Sequence, residues 1–278
     1  MALEDPDYLV ALERRYASQH RPGHIFWNGV IATQLAHRTV RSYRPDPLPE
    51  GTLETLIAAA QSAASSSNLN LWSAVAVTDR AARAKLAVLA GSQRHIEEAP
   101  LILLWVADLS RARRLGEREG APTDGVDYLD SFLTASVDAA LAAQNAVIAA
   151  ESLGLGTVYI GALRNRPEDV AEVAGLPPGA AVIFGLVVGW PDEERPAAVK
   201  PRPPQSLVLH RERYSETPGA EADAIAGYDE ASRDFQQSQG LPTTGWKAPV
   251  LARMAGGASL NGRDRLVAAL KALGFPLR

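Results

Sequence analysis

The chain has 278 residues, 46% of them hydrophobic, and a formal net charge of −4, so it is long enough to bury a sizeable core as one large domain with excursions. The acidic balance, with a pI near 5.8, argues against a face built for the phosphate backbone of nucleic acid. Cysteine is absent, which excludes disulfides, thiolate metal sites and cysteine nucleophiles and fits a cytoplasmic protein.

Residues 1–35 read as an N-terminal extension. Its first eight residues are acidic and hold no apolar run of signal-peptide or membrane-helix length, so neither secretion nor membrane insertion is expected. Tyr8, Leu12 and Tyr16 recur at helical spacing until Arg21-Pro22-Gly23 breaks the pattern. Asn28 to Leu35 predicts a first core helix. A basic cluster follows, His37-Arg38-Thr39-Val40-Arg41, and then the prolines of Arg44-Pro45-Asp46-Pro47-Leu48-Pro49 interrupt regular structure. The next helix starts at Pro49 or Glu50 and puts Leu53, Leu56, Ile57 and Ala60 on one apolar stripe. It delivers Ser65-Ser66-Ser67-Asn68 at its C-terminal end. Cations before this helix and hydroxyls after it suit a phosphorylated, hydrogen-bonding ligand, if the helix brings both ends to one pocket.

Trp72 to Val77 reads as a strand stopping at the cap Thr78-Asp79, and Ala81 to Leu89 as a helix ended by Gly91. Leu101 to Ala107 is a continuous apolar run of strand length and predicts a buried strand. Residues 110–126 lack periodicity and read as an exposed excursion. From Leu129 to Leu153 almost every position is apolar or small, which predicts a central helix buried by the sheet on one side and by another subunit or layer on the other. Thr157 to Gly161 and Ala181 to Val188 are two further strands, with a small helix from Pro167 to Ala174 between them whose cap is expected at Asn165. Lys200-Pro201-Arg202-Pro203-Pro204 holds two cations in a rigid extended geometry. Residues 215–262 are rich in Gly, Ser, Gln, Thr and Ala and suggest an extension packed on another surface. Arg263 to Leu273 predicts a terminal helix with Leu266, Val267 and Leu270 as its stripe. The composite is α+β with about four or five core strands.

Several runs occur in a telling order: His37 to Tyr43, Ser65 to Ser67, Gly91-Ser92-Gln93-Arg94-His95, Ala143-Gln144-Asn145 through Gly156, Tyr159-Ile160-Gly161, Gly189-Trp190-Pro191 and Lys200-Pro201-Arg202. Together they resemble the FMN-dependent nitroreductase family, in its branch of major oxygen-insensitive NADPH nitroreductases and NADPH:FMN oxidoreductases. The resemblance covers about Ala36 to Tyr214. It implies an FMN-binding nitroreductase-like domain at 36–214, after the extension at 1–35 and before a C-terminal extension at 215–278 that packs on the core or the partner subunit. The implied fold is a mainly antiparallel central sheet flanked by helices, in an intertwined homodimer with FMN at the subunit interface. His37, Thr39, Lys200 and Arg202 would hold the FMN phosphate, Arg38 would be a further cofactor-binding residue, and Arg41 and Gln93 would face the pyrimidine edge of the flavin. Ser65, Ser66 and Ser67 would reach the flavin of the other subunit, and Tyr159, Ile160 and Gly161 would lie along the ring. The implied reaction is ping-pong, two-electron reduction of nitroaromatics, quinones or free flavin by NADPH or NADH. The flavin is then the reactive centre and no side-chain acid is assigned. The alternative is a flavin reductase that supplies reduced FMN to a partner monooxygenase.

Taken singly, these features have ordinary readings. His37-Arg38 alone is a solvated loop cluster, the serine run a helix terminus, and Gln144 and Glu151 satisfied polar groups on a buried helix. His20, His24, His95 and His210 show no metal-ligand spacing with carboxylates, so no metal is expected. The stretch Gly240 to Gly245 lacks the basic residues with which the branch recognises the 2′-phosphate of NADPH. Arg164, Lys247, Arg253 and Arg263 are the possible substitutes.

Overall fold

The computed structural model describes residues 6–17, 21–23 and 25–278. His20, His24 and the acidic start at residues 1–5 lie outside them. The helices are, in chain order, α1 (Pro6–Tyr16), α2 (Gly29–Leu35), α3 (Thr52–Gln61), α4 (Arg80–Leu89), α5 (Arg94–Glu98), α6 (Ser110–Glu119), α7 (Leu129–Ser152), α8 (Pro167–Ala174), α9 (Pro218–Ser238), α10 (Lys247–Met254) and α11 (Leu266–Ala272). The strands are β1 (Trp72–Val77), β2 (Leu101–Asp108), β3 (Gly156–Ile160) and β4 (Ala180–Gly189). By its contacts the chain divides into two compact units, one of Met1–Arg38 and Ala197–Ser259, the other of Thr39–Pro196 and Leu260–Arg278. The division at 35/36 and 214/215 drawn above is one of sequence resemblance, and the contacts group the flanking segments differently.

The second unit holds an antiparallel sheet of order β1-β2-β4-β3. Leu101 of β2 pairs with Val188 of β4, and Gly156 of β3 with Gly189. All eight residues of β2 are buried, as expected for a continuous apolar strand covered on both faces. On one face α3 and α7 pack through Leu56, Ala60, Ala139, Ala142, Ala146 and Val147 against Leu103, Trp105 and Leu186. At the end of the sheet Leu270 and Phe275 close a second cluster with Leu109, Ala135 and Ala181. The helix expected from Leu129 to Leu153 is present as α7. Its small residues lie on the sheet, while Leu129, Leu133, Val137 and Leu141 remain about half exposed. This helix is long and apolar enough to cross a membrane by length and composition, but its alanine face is the floor of the core.

Four expectations need correcting. Residues 110–119 form α6, because the Asp108 carboxylate accepts hydrogen bonds from the Ser110 amide and hydroxyl and starts the helix. Burial alone would raise the Asp108 pKa, but hydrogen bonds from Ser110 and Ser73 and the charge of Arg111 outweigh it and hold the carboxyl below its usual range. Asn165 does not cap α8: its side-chain oxygen is buried without a partner, and Arg166 occupies the cap position without a side-chain bond to the first helix amides. The predicted core helix at α2 buries none of its residues, although Asn28 caps it by accepting from the Ile31 amide at 2.9 Å. Val267 of α11 is 60% exposed, so the terminal stripe is carried by Leu266 and Leu270.

The first unit is helical among its described residues. The 215–262 segment there is more regular than its composition suggests, with α9 running for 21 residues. Asp229, fully buried on α9, accepts from the Trp246 and Lys247 amides at 2.7 and 2.8 Å and so caps α10. Those amide bonds keep its carboxyl below the usual range against the opposing effect of burial. Tyr228 is buried beside Trp246, with ring centroids 5.5 Å apart.

Candidate active site

In the first unit the two cationic arms come together although they are far apart in sequence. The link is Arg15, in the last turn of α1, which is 5% exposed. Its guanidinium donates to the Leu35 carbonyl at 2.9 Å, to the His37 carbonyl, and to the Lys200 carbonyl at 2.9 Å. Its own carbonyl accepts from the Arg202 amide at 2.7 Å. His37 is half-buried, whereas Arg38, Lys200 and Arg202 are exposed. The Lys200 ammonium lies 5.9 Å from the centre of the Phe235 ring.

In the second unit, Thr39 bridges in parallel to Thr157 on β3, and the Val40 amide donates to the Thr157 carbonyl at 2.9 Å. Gly156 makes this approach possible, since a Cβ there would come within 2.7 Å of the Val40 side chain. The segment from Thr39 to Arg41 therefore runs along the strand that carries Tyr159 and Ile160 and leads into Gly161. Ile160 is buried. The Tyr159 hydroxyl donates to Gln144 Oε1 at 3.3 Å, and its ring meets Phe184 edge-on. Burial, reinforced by the Glu151 charge, raises the Tyr159 pKa and keeps the phenol protonated. At Gly161 a Cβ would come within 3.4 Å of the Arg164 guanidinium, which therefore covers that side of the backbone.

Gln93 precedes α5 in a tight loop where Gly91 and Ser92 both have left-handed φ, and its side-chain amide donates to the Ala90 carbonyl at 2.8 Å. The next turn carries His95, which is buried with Nε2 unpartnered. Burial lowers the His95 pKa, and the charge of Arg41 lowers it further against the opposing Glu98. Arg41 thus sits within electrostatic reach of α5, which puts Arg41 and Gln93 in one neighbourhood.

The serine run is not free-standing. Ser65 Oγ donates to Asp138 at 2.6 Å and accepts from the Asn70 amide at 2.8 Å, while the Ser66 amide donates to Asp138 at 3.1 Å. Asp138 lies on the buried face of α7 at 1% exposure. Ser65 is therefore the anchor of the loop, and Ser66 and Ser67 are the exposed hydroxyls. Gln144 and Glu151 are satisfied polar groups as expected, through Tyr159 and through the Thr157 hydroxyl at 3.3 Å. Arg15 and Asp138 are the two residues that sequence reasoning missed. Among the described residues no group of His, Asp and Glu has the makings of a metal site.

The four cations considered for the nucleotide phosphate all have acceptors. Arg164 donates to the Ile183 carbonyl, Arg253 to Ser259 at 2.8 Å and Arg263 to Leu260 at 3.0 Å, and the Lys247 ammonium lies 3.8 Å from Asp229.

Residues 35–190 match the Nitroreductase family, and residues 200–278 match the Nitroreductase family, C-terminal domain. The chain belongs to the nitroreductase family. Among relatives in that family, it is 38% identical over 233 residues to an NADPH-flavin oxidoreductase of Vibrio harveyi, covering 82% of this chain and 92% of that protein. It is 37% identical over 213 residues to an oxygen-insensitive NADPH nitroreductase of Salmonella typhimurium, covering 77% and 85%. Among solved structures, the NADPH:FMN oxidoreductase from Vibrio harveyi complexed with NAD+ matches with a TM-score of 0.80 and 35% identity, over 90% of this chain and all of that one. The family resemblance and the antiparallel α+β fold expected from the sequence both hold.

Proposed function

We propose that the protein is an FMN-dependent NAD(P)H oxidoreductase that reduces flat aromatic acceptors, such as nitroaromatics, quinones or free flavin, by two electrons. The observation that carries this reading is the convergence of the His37-Arg38 and Lys200-Arg202 arms on Arg15. The donor set fits the ligand. Three exposed cations and a histidine on arms held at their backbones suit a dianionic phosphate, and Thr39 adds a hydroxyl beside them in sequence. Arg41 and Gln93, which share the neighbourhood of α5, suit the polar pyrimidine edge of a flavin. Arg41 places a cation where the ring gains negative charge on reduction, which favours the two-electron step. Tyr159, Ile160 and Gly161 would lie along the ring, with the Arg164 guanidinium beside Gly161. When bound, FMN supplies the centre that takes a hydride from NADPH or NADH and passes it to the acceptor.

The half-exposed stripe of Leu129, Leu133, Val137 and Leu141, four residues apart along α7, supports a homodimer, since a contiguous apolar face of this kind is covered in a stable protein. In that dimer Ser66 and Ser67, on the loop that Ser65 anchors, serve the flavin of the other subunit. The absence of cysteine and the similarity to bacterial reductases support a cytoplasmic enzyme.

The purified protein should be yellow, or become so with added FMN. Stopped-flow mixing with NADPH and with NADH should bleach it, and a nitroaromatic or quinone should restore the colour. A colourless protein that does not take up FMN overturns the reading.

A further inference from the structure

Resting on the FMN reading, we infer that Arg15 of the N-terminal helix is a positioning residue for the phosphate arms, so that the extension is part of the cofactor site. The match to the nitroreductase family begins at residue 35, which leaves α1 outside it. One side chain from this extra helix holds both arms. Its fork of donors takes the carbonyls of Leu35, His37 and Lys200, which lie 20, 22 and 185 residues away along the chain, and no single-point cation offers that geometry. A carbonyl held in place fixes its whole peptide plane. The planes fixed here join His37 to Arg38 and Lys200 to Pro201, so they set the backbone from which the side chains of His37, Arg38 and Lys200 spring. The Arg202 amide, bonded to the Arg15 carbonyl at 2.7 Å, ties the second arm a residue further on. Pro201 and Pro203 restrict the rest of that arm.

Arg15 is itself well anchored. Tyr8 and Leu12 are each 3% exposed, the Tyr8 ring meets Trp27 edge-on at 5.5 Å, and the Tyr8 hydroxyl accepts from the Ile25 amide at 3.2 Å. The α1 C-terminus also suits a cation, because the helix dipole is negative there. The arms are thus set before any ligand arrives, and the ligand need not order them itself.

The phosphate distinguishes positioning from mere folding. Riboflavin carries the same ring as FMN but no phosphate, so only FMN affinity depends on the arms. We expect Arg15→Ala to weaken FMN binding roughly tenfold or more and riboflavin binding less than about twofold, read by quenching of flavin fluorescence. Arg15→Lys, which keeps the charge without the fork, should recover only part of the FMN affinity. If Arg15→Ala does not fold, Arg15→Lys is read against the same ratio. Asp229→Asn, which weakens the α10 cap in the same unit, should leave the FMN-to-riboflavin ratio of the wild type unchanged.

A ratio in the Arg15 variants equal to that of the wild type overturns the inference while leaving the FMN reading standing. A parallel loss for both flavins in the Arg15 variants does the same, because it makes Arg15 a residue of folding alone. A wild-type protein that binds FMN no better than riboflavin removes the phosphate arms and the inference with them. One that binds neither flavin overturns the proposed function itself.

Discussion

Replacing Asp138 with alanine should free the serine loop from α7. The carboxylate accepts two hydrogen bonds, from Ser65 Oγ at 2.6 Å and the Ser66 amide at 3.1 Å. Bonds of this charged kind contribute about 1.5–3 kcal/mol each, so the gross loss is about 3–6 kcal/mol. Two effects offset it. The Ser66 amide lies in an exposed residue and regains water, and Ser67, held with φ at 50°, relaxes from a left-handed conformation that costs about 1 kcal/mol. A net destabilisation of about 2–4 kcal/mol remains, large for a single substitution. Asp138→Asn keeps one acceptor and should cost about 1 kcal/mol. Urea unfolding with linear extrapolation measures both, and amide hydrogen exchange at Ser66 reports the loop directly. Stability within about 0.5 kcal/mol of wild type for both variants, with Ser66 exchange unchanged, would refute the assignment of Asp138 as the anchor.

Val137→Glu puts a charge in the exposed stripe of α7 and should convert the dimer to monomer in sedimentation velocity, with loss of FMN retention; an unchanged dimer would show that the stripe is not the interface. His95 titrates below its ordinary value in the folded protein, so the unfolded chain binds a proton first as the pH falls, and stability present above about pH 6.5 is lost on acidification below it. His95→Gln should flatten that part of the stability-versus-pH curve measured by urea midpoint, and a slope equal to that of the wild type would count against the shift.

The sheet was legible because its strands are apolar runs bounded by caps and glycines. β1 is observed where it was expected, from Trp72 to Val77, and β2, β3 and β4 differ from expectation by about a residue at their ends. Elements held by polar contacts were harder to read. The first residues of α6 are arginine-rich, so no apolar stripe announced the helix, although Asp108 two residues before Ser110 was a cap signal. In α9 the apolar positions are sparse, and buried Tyr228 and Asp229 mark its packed side, a pattern that composition hides. Of the candidate site, the cations and hydroxyls were visible as motifs, but what holds them was not. Asp138 is a carboxylate inside the alanine face of an apolar helix, in step with Ala135, Ala139 and Ala142, and a charge placed there requires donors from another segment.

Arg15 shows the same logic at the start of the chain. The spacing of Tyr8, Leu12 and Tyr16 picks out a helix correctly, but steps of four drift round the helix, and the face that is buried is Tyr8, Leu12 and Arg15. Tyr16 is only half-buried and Arg14 is exposed. A cation seven residues after a buried tyrosine shares its face, and there it must find acceptors or leave a charge unpaired in the interior. The acceptors it finds include the carbonyls of His37 and Lys200, whose side chains belong to the phosphate arms. An arginine that served α1 alone would have no need of carbonyls from two distant segments. The choice of those partners is what joins the extension to the chemistry.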